Sequence, residues 1–338
     1  MRLKLLISLV VLLIGSGTAL GQGSNPDLVA QAKKEGRVTW YTTVSIPESK
    51  QFIDMFEKQY PFIKVDLLRS GSGPLVNRIL SEYAAKSYAA DVLHGMSSRG
   101  GFTVLKQRNI LGRYESPERK NFSAELKDKD GYWASTFQNT FIMAYNKRNV
   151  KPDDVPKSYE DLLKPIWKGR QIINDTDNFE WFDGLLKFWG RDKGLAYFRR
   201  LAQQEQIFQR GARGRIQFVA AGEAPLTIGY GPHAQSFVNQ GAPIEWVPLE
   251  PVVVIVNTVN IAQRAPHPAA AKLLIDFLLS KPAQLKLREL SRIPLRGDVE
   301  PDPPRLIKGF KKVVQDIEND SMAESIKMFQ QTFGLAPG

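Results

Sequence analysis

Apolar positions along the first hundred residues recur at two spacings. Leu28, Val29 and Ala32 lie at helical spacing, and Gly36 stops them. Val38 to Tyr41 reads as a strand. The "SIPE" stretch then starts a helix: Ser45 caps it, Pro47 suits the first turn, and Glu48 follows the serine by three residues. Phe52, Ile53, Met55, Phe56 and Tyr60 give that helix one apolar side, and Pro61 ends it. "FIKVDLL" alternates as a strand and "SGSGP" turns the chain. Leu75, Val76, Ile79, Leu80 and Tyr83 form the next helical face, and "ADVLHG" is a third strand. Strands alternating with helices in this way predict a parallel sheet wound with helices.

Gly131 to Lys147 is a long strand-like run. A capped helix is expected in "VPKSYEDLLKPIWKGR", with Ser158 and Asp161 as its box. A second winding follows. "QIIND", "QIFQ", "PLTIGY" and "IEWVP" read as strands. Phe179–Trp189, Leu195–Leu201, Arg215–Ala221 and Ala234–Asn239 read as helices. Val252 to Ile261 is another long strand, and "HPAAAKLLIDFLLSKPAQLKLREL" supplies two helices. "DVEPDPPR", near residue 300, is a linker. The expected fold class is therefore α/β, with two wound lobes joined by crossing hinge strands. The lobes divide as 22–136 plus 256–300 and 137–255 plus 301–338.

The first residues fall outside this pattern. "MRLKLLISLVVLLIGSGTALG" has a basic start, an apolar run from Leu5 to Ile14, and small residues after it. That is the form of a cleavable secretory signal, residues 1–21, and the run is short for a membrane span. The mature chain is expected in the periplasm, without membrane insertion. There are no cysteines, which excludes disulfides, a thiol nucleophile and the thiol that anchors lipid on exported bacterial chains. The net charge is +11, or +9 without Arg2 and Lys4. Basic residues are dispersed, the densest group being "RGARGR", Arg210 to Arg215, so nucleic acid is not an expected partner.

In open parallel sheets ligands lie beyond the carboxyl ends of the strands. Three such ends carry small polar residues: Tyr41, Thr42 and Thr43; Ser70, Gly71 and Ser72; Ser97, Ser98 and Arg99. Each precedes or opens a helix, whose unpaired N–H groups suit an anion. One such serine is an ordinary cap, whereas three polar ends in one sheet suggest a ligand crevice. Catalytic motifs are lacking: there is no H-E-x-x-H, G-x-S-x-G, phosphate-binding lysine loop or G-x-G-x-x-G. His94, His233 and His267 are the three histidines. An enzyme is not expected.

Several stretches resemble the solute-binding proteins of ABC importers with the type II periplasmic binding protein fold, in the subgroup related to ferric-iron binders. "VTWYTTVS" resembles that family's first strand and ligand loop, and "LLKPIWKGR" its entry to the second lobe. "VAAGEAPLTIGY" and "APHPAAAKLLIDFLLSKPAQ" resemble its A-G-E-x-P joint and its alanine-rich helix pair. The resemblance implies two lobes closing on one small solute, delivery to a membrane permease, a monomer, and no cofactor. It also makes Tyr41 the foremost ligand candidate.

Ferric-iron members usually carry adjacent tyrosines shortly after the A-G-E-x-P strand, phenolates suited to a hard cation. Here that pair falls on Pro232 and His233, and Tyr230 stands alone. No metal site is therefore expected, with a site at Tyr230 and His233 as the alternative. Hydroxyls and the arginines Arg69, Arg99 and Arg213 instead suit a small organic anion such as a phosphonate or carboxylate. Ligand contacts are expected from Tyr41, Thr42, Thr43, Ser70, Ser72 and Ser98 on one side. From the other they are expected from Asn139, Asp175, Trp181, Arg213 and Tyr230. Asp175 either binds an amine or caps the next helix, and Trp181 suits a core position as well as a ligand wall. Two further readings stay open: a ferric-iron or iron-chelate carrier, and a sensor module or enzyme on the same fold.

Overall fold

The computed structural model describes residues 25–96, 101–170, 172–174, 178–209, 211–318 and 322–336. The expected signal segment, Ser98 and Asp175 lie outside the described residues.

Helix α1 (Pro26–Glu35) starts on Asn25, whose side chain accepts from Asp27 N–H, and ends at Gly36 with φ 68°. Strand β1 (Arg37–Thr42), helix α2 (Ile46–Gln59), strand β2 (Lys64–Arg69), helix α3 (Ser72–Ala84) and strand β3 (Val92–His94) follow in the expected order. Helix α4 (Gly101–Gln107) comes next. Strand β1 pairs in parallel with both β2 and β3.

Strand β4 (Ala134–Asn146) is the first long crossing strand. The helix expected after it is instead two 3-10 turns, Glu160–Leu163 and Pro165–Trp167. Ser158 and Asp161 do bond reciprocally. Pro165 then lacks the N–H a longer helix needs and pushes Lys164 to ψ 144°.

The second winding holds β5 (Ile172–Asn174), α5 (Phe179–Trp189), α6 (Arg191–Ala202), β6 (Ile207–Phe208), α7 (Ala212–Ala221), β7 (Leu226–Tyr230), α8 (Gly231–Asn239) and β8 (Ile244–Val247). Helices α7 and α8 each begin three residues earlier than their apolar spacing predicts, which puts Arg213 and His233 in first turns. Strand β9 (Val252–Ile261) crosses back. It is followed by α9 (Pro268–Leu279), α10 (Lys281–Glu289), β10 (Ile293–Pro294), β11 (Lys312–Val314) and α11 (Met322–Phe333).

The described strands form one curled sheet in the order β2-β1-β3-β9-β4-β7-β5-β6, with β8, β10 and β11 pairing off that path. Residues Ala134 to Thr140 of β4 pair with β9, and Phe141 to Tyr145 pair with β7. One strand thus serves both halves of the molecule. A shorter third segment also bridges them. Strand β10 pairs with β4 at Gln138 and Phe137, and Asn239 on α8 donates to Ser291 Oγ at 3.1 Å.

Both faces of the sheet are covered, so successive strand residues enter opposite cores. Trp40 and Val92 join Phe56 and Phe277 in one core, while Tyr41 and Leu93 join Leu75 and Phe102 in another. In the second half, Phe141 and Met143 pack with Trp181 and Phe198, and Ile142 and Ala144 pack with Ile216 and Trp246. The C-terminal segment touches both halves: Val313 packs on the core of Trp181, and Ile317 on that of Phe102. Among the described residues no helix is long and apolar enough to cross a membrane.

Candidate functional site

A cleft of about 880 Å³ opens between the two halves, ample for a small organic molecule. Its floor is the paired hinge strands: Phe137 and Asn139 on β4, Ile255 and Asn257 on β9. The period of two puts these four on one face. One wall comes from the end of β1 and the start of α2 (Thr43, Val44, Ser45, Glu48), with Arg69 and Ser72 beside them. The other wall is the first turn of α7 (Gly211 to Gly214), Tyr230, and the first turn of α8 (Pro232, His233). The starts of α2, α3, α7 and α8 therefore all face this space, each offering N–H groups and partial positive charge.

The fold brings Thr43, Ser72, Asn139, Arg213, Tyr230 and His233 together at this cleft. Thr43 is placed by its backbone N–H on His94 O and its hydroxyl on Gly95 O. Gly95 sits at φ 78°, and a Cβ there would stand 2.0 Å from Thr43 Oγ1, so only glycine fits.

Four expected residues do not reach the cleft. Tyr41 lies one residue short of the strand end, on the face that packs under α3. It is 1% exposed, and its hydroxyl donates to Glu82 at 2.8 Å. Burial and that carboxylate push the phenol upward. The neighbouring Thr42 is buried, its hydroxyl accepting from Val44 N–H in a local turn. Ser70 donates its backbone N–H to Thr42 O and lies off the lining. Trp181 is fully buried and donates to Tyr159 Oη at 3.2 Å. Eight residues of α5 are buried, so both of its faces meet core and the tryptophan has no route to the cleft.

Ser45 caps no backbone N–H through its side chain; its hydroxyl donates to Glu48 at 2.6 Å. Arg292 donates Nε and Nη2 to the two carboxylate oxygens of Glu48, at 2.9 and 2.8 Å. Burial alone raises the Glu48 carboxyl, but the charge and hydrogen bonds of Arg292, with Ser45, outweigh it and hold the group at about 2. His233 is held down at about 3, by burial first and then by Arg292, so its ring is neutral at pH 7. Its ring centroid lies 5.8 Å from that of Tyr230.

The remaining cations of the lining differ. Arg213 lies 5.1 Å over the Phe237 ring, and Arg69 makes a long contact to Thr43 O. Neither meets a carboxylate among the described residues. Arg215 of the same basic group is buried, with Nη2 on Ile228 O at 3.0 Å, and ties α7 to β7. As for a metal, among the described residues no three His, Asp or Glu side chains converge.

Sequence reasoning missed Arg292 and Asn257, and assigned Glu48 only a capping role. Arg292 meets Glu48 across 244 positions, a pairing no local pattern announces. Asn257 did leave a signal, a polar residue inside the apolar run "VVVIVNTVNI".

A model of bacterial extracellular solute-binding proteins matches residues 89–313. An iron uptake protein A1 from Synechocystis is 28% identical over 70% of this chain and 71% of its own. A putative 2-aminoethylphosphonate-binding periplasmic protein from Salmonella typhimurium is 24% identical over 71% of this chain and 72% of its own. The periplasmic binding protein AfuA of Actinobacillus pleuropneumoniae, solved with fructose-6-phosphate, superposes with a TM-score of 0.79 at 23% identity. That match covers 89% of this chain and all of the other. The fold is thus that of the two-lobed periplasmic binding proteins. With its matched segment taking in both hinge strands and the whole second winding, about two thirds of the sequence, this chain belongs to the bacterial extracellular solute-binding protein family.

Proposed function

We propose that this chain is the periplasmic component of an ABC importer and captures a small organic anion, a phosphonate or carboxylate, between its lobes. The observation that carries the reading is the charge balance of the cleft. Four helix starts, Arg69 and Arg213 face it, while Glu48 is already neutralised by Arg292. Helix N-termini and guanidinium groups are complementary to oxyanions. A ligand touching Thr43 and Ser72 on one side and Arg213 and Tyr230 on the other would stabilise the closed arrangement. The crossing strands β4 and β9, with β10, would act as the hinge. The closed form then docks on a membrane permease as a monomer, and no bond in the solute is made or broken. The lobes proposed are 22–136 plus 256–300 and 137–255 plus 301–338, with the segments 291–296 and 315–318 between them. The names of two relatives agree with an anionic solute: an aminoethylphosphonate for one, fructose-6-phosphate for the other.

Thermal unfolding against phosphate, phosphonates, short carboxylates and ferric citrate tests this. A ligand at a hundred times its dissociation constant adds about 2.7 kcal/mol, which raises Tm by about 5 °C at this size. An organic anion should give that shift. A shift with ferric iron alone overturns the reading in favour of a metal held by Tyr230, His233 or a bound anion.

A further inference from the structure

The floor of the cleft carries a hydrogen-bonding pattern that the arginines and helix starts leave unused. Asn139 and Asn257 are 5% and 9% exposed, and both line the cleft. The register sets Asn139 opposite Ile255 and Phe137 opposite Asn257, so the two amides are diagonal neighbours on one face. Asn139 Oδ1 and Asn257 Nδ2 are buried with no protein partner. Native folds pair nearly all such atoms, and an acceptor and a donor left open on diagonal neighbours of one cleft floor point to a ligand group that is both. The carboxylates of the lining are occupied as well. Arg292 and Ser45 hold Glu48, and Lys286 holds Glu289. Among the described residues no other carboxylate lines the cleft.

We infer that the cleft selects a hydroxyl-bearing oxyanion, with its hydroxyl seated between Asn139 and Asn257 and its anionic head on the helix starts and arginines. This rests on the function proposed above and narrows it. A hydroxyl donates to the Asn139 oxygen and accepts from the Asn257 amide at once. An ammonium only donates; it leaves the Asn257 amide unpaired and finds no unoccupied carboxylate among the described residues of the lining. A methyl group leaves both amides unpaired. The solute class is therefore a hydroxylated phosphonate, phosphate ester or carboxylate, ahead of an aminophosphonate.

Isothermal titration of the chain with three phosphonates of matched length separates these groups: 2-hydroxyethylphosphonate, 2-aminoethylphosphonate and propylphosphonate. Glucose 6-phosphate against hexyl phosphate repeats the comparison for a head held farther from the floor. In at least one set the hydroxylated member should bind about tenfold or more tighter, because a site built to pair a hydroxyl rejects analogues lacking it. Asn139→Ala should abolish that preference, bringing the affinities of the hydroxylated and methyl members of the set together. Asn257→Ala gives the same reading from the other strand. Equal affinities within both sets, or preference for the ammonium, overturns the inference and leaves the anion cleft standing. Absence of binding by all five compounds overturns both.

Discussion

At the scale of single residues, the side chain of Glu48 organises the wall of the cleft without being free to meet a ligand. Its carboxyl lies near 2 in the folded chain against an ordinary value of 4.5. A depressed carboxyl adds stability above its unfolded pKa and loses it as pH falls through the folded one. Acid unfolding should therefore include a component between about pH 4.5 and 2. In Glu48→Gln that component should vanish, and stability at pH 7 should drop by about 3 kcal/mol because Arg292 is left buried and unpaired. Denaturant melts at several pH values measure both. Held at about 3, His233 should show a flat ring-proton shift by NMR between pH 5 and 8 in the unliganded chain. Tyr41→Phe loses one hydrogen bond to Glu82, so stability should fall by about 1 kcal/mol while ligand affinity stays unchanged. A large loss of affinity in that variant would return Tyr41 to the site.

At the scale of elements, the first turn of α7 presents Arg213 to the cleft from an exposed position. Arg213→Ala should weaken anion binding by about tenfold, the size of a charge-assisted hydrogen bond, and shift stability by no more than about 0.5 kcal/mol. Titration calorimetry and melting together check the pair of effects. The alternating elements, the two crossing strands and the polar strand ends were all legible in the sequence, because apolar spacing reports which faces are buried. Which polar residue at a strand end turns toward the cleft was less legible. Strand β1 is covered on both faces, so Tyr41 enters one core and Trp40 the other, and the first residue free to line the cleft is Thr43. Trp181, for which the sequence left core and ligand wall open, is settled as core by burial: α5 is enclosed nearly all round, even at Glu180 and Asp183, which its charged face does not announce. Short strands were the least visible. Strands β10 and β11 have two and three residues and exist through pairing with β4 and β9, contacts the local sequence does not encode.

At the scale of the whole molecule, the cleft lies between two windings that share strands. Closure can then occur by rotation about β4, β9 and the 291–296 segment without unpairing either half. Small-angle scattering should show a smaller radius of gyration with a bound organic anion, and the same radius with and without it in an Arg69→Ala, Arg213→Ala double variant. The central claim is that positive groups from both lobes hold one anion in this cleft. Isothermal titration of the chain and of that double variant with 2-hydroxyethylphosphonate tests it most directly. The account predicts one site per chain in the first and a loss of about a hundredfold or more in the second, two charge-assisted contacts being removed. Equal affinity in both proteins would contradict it.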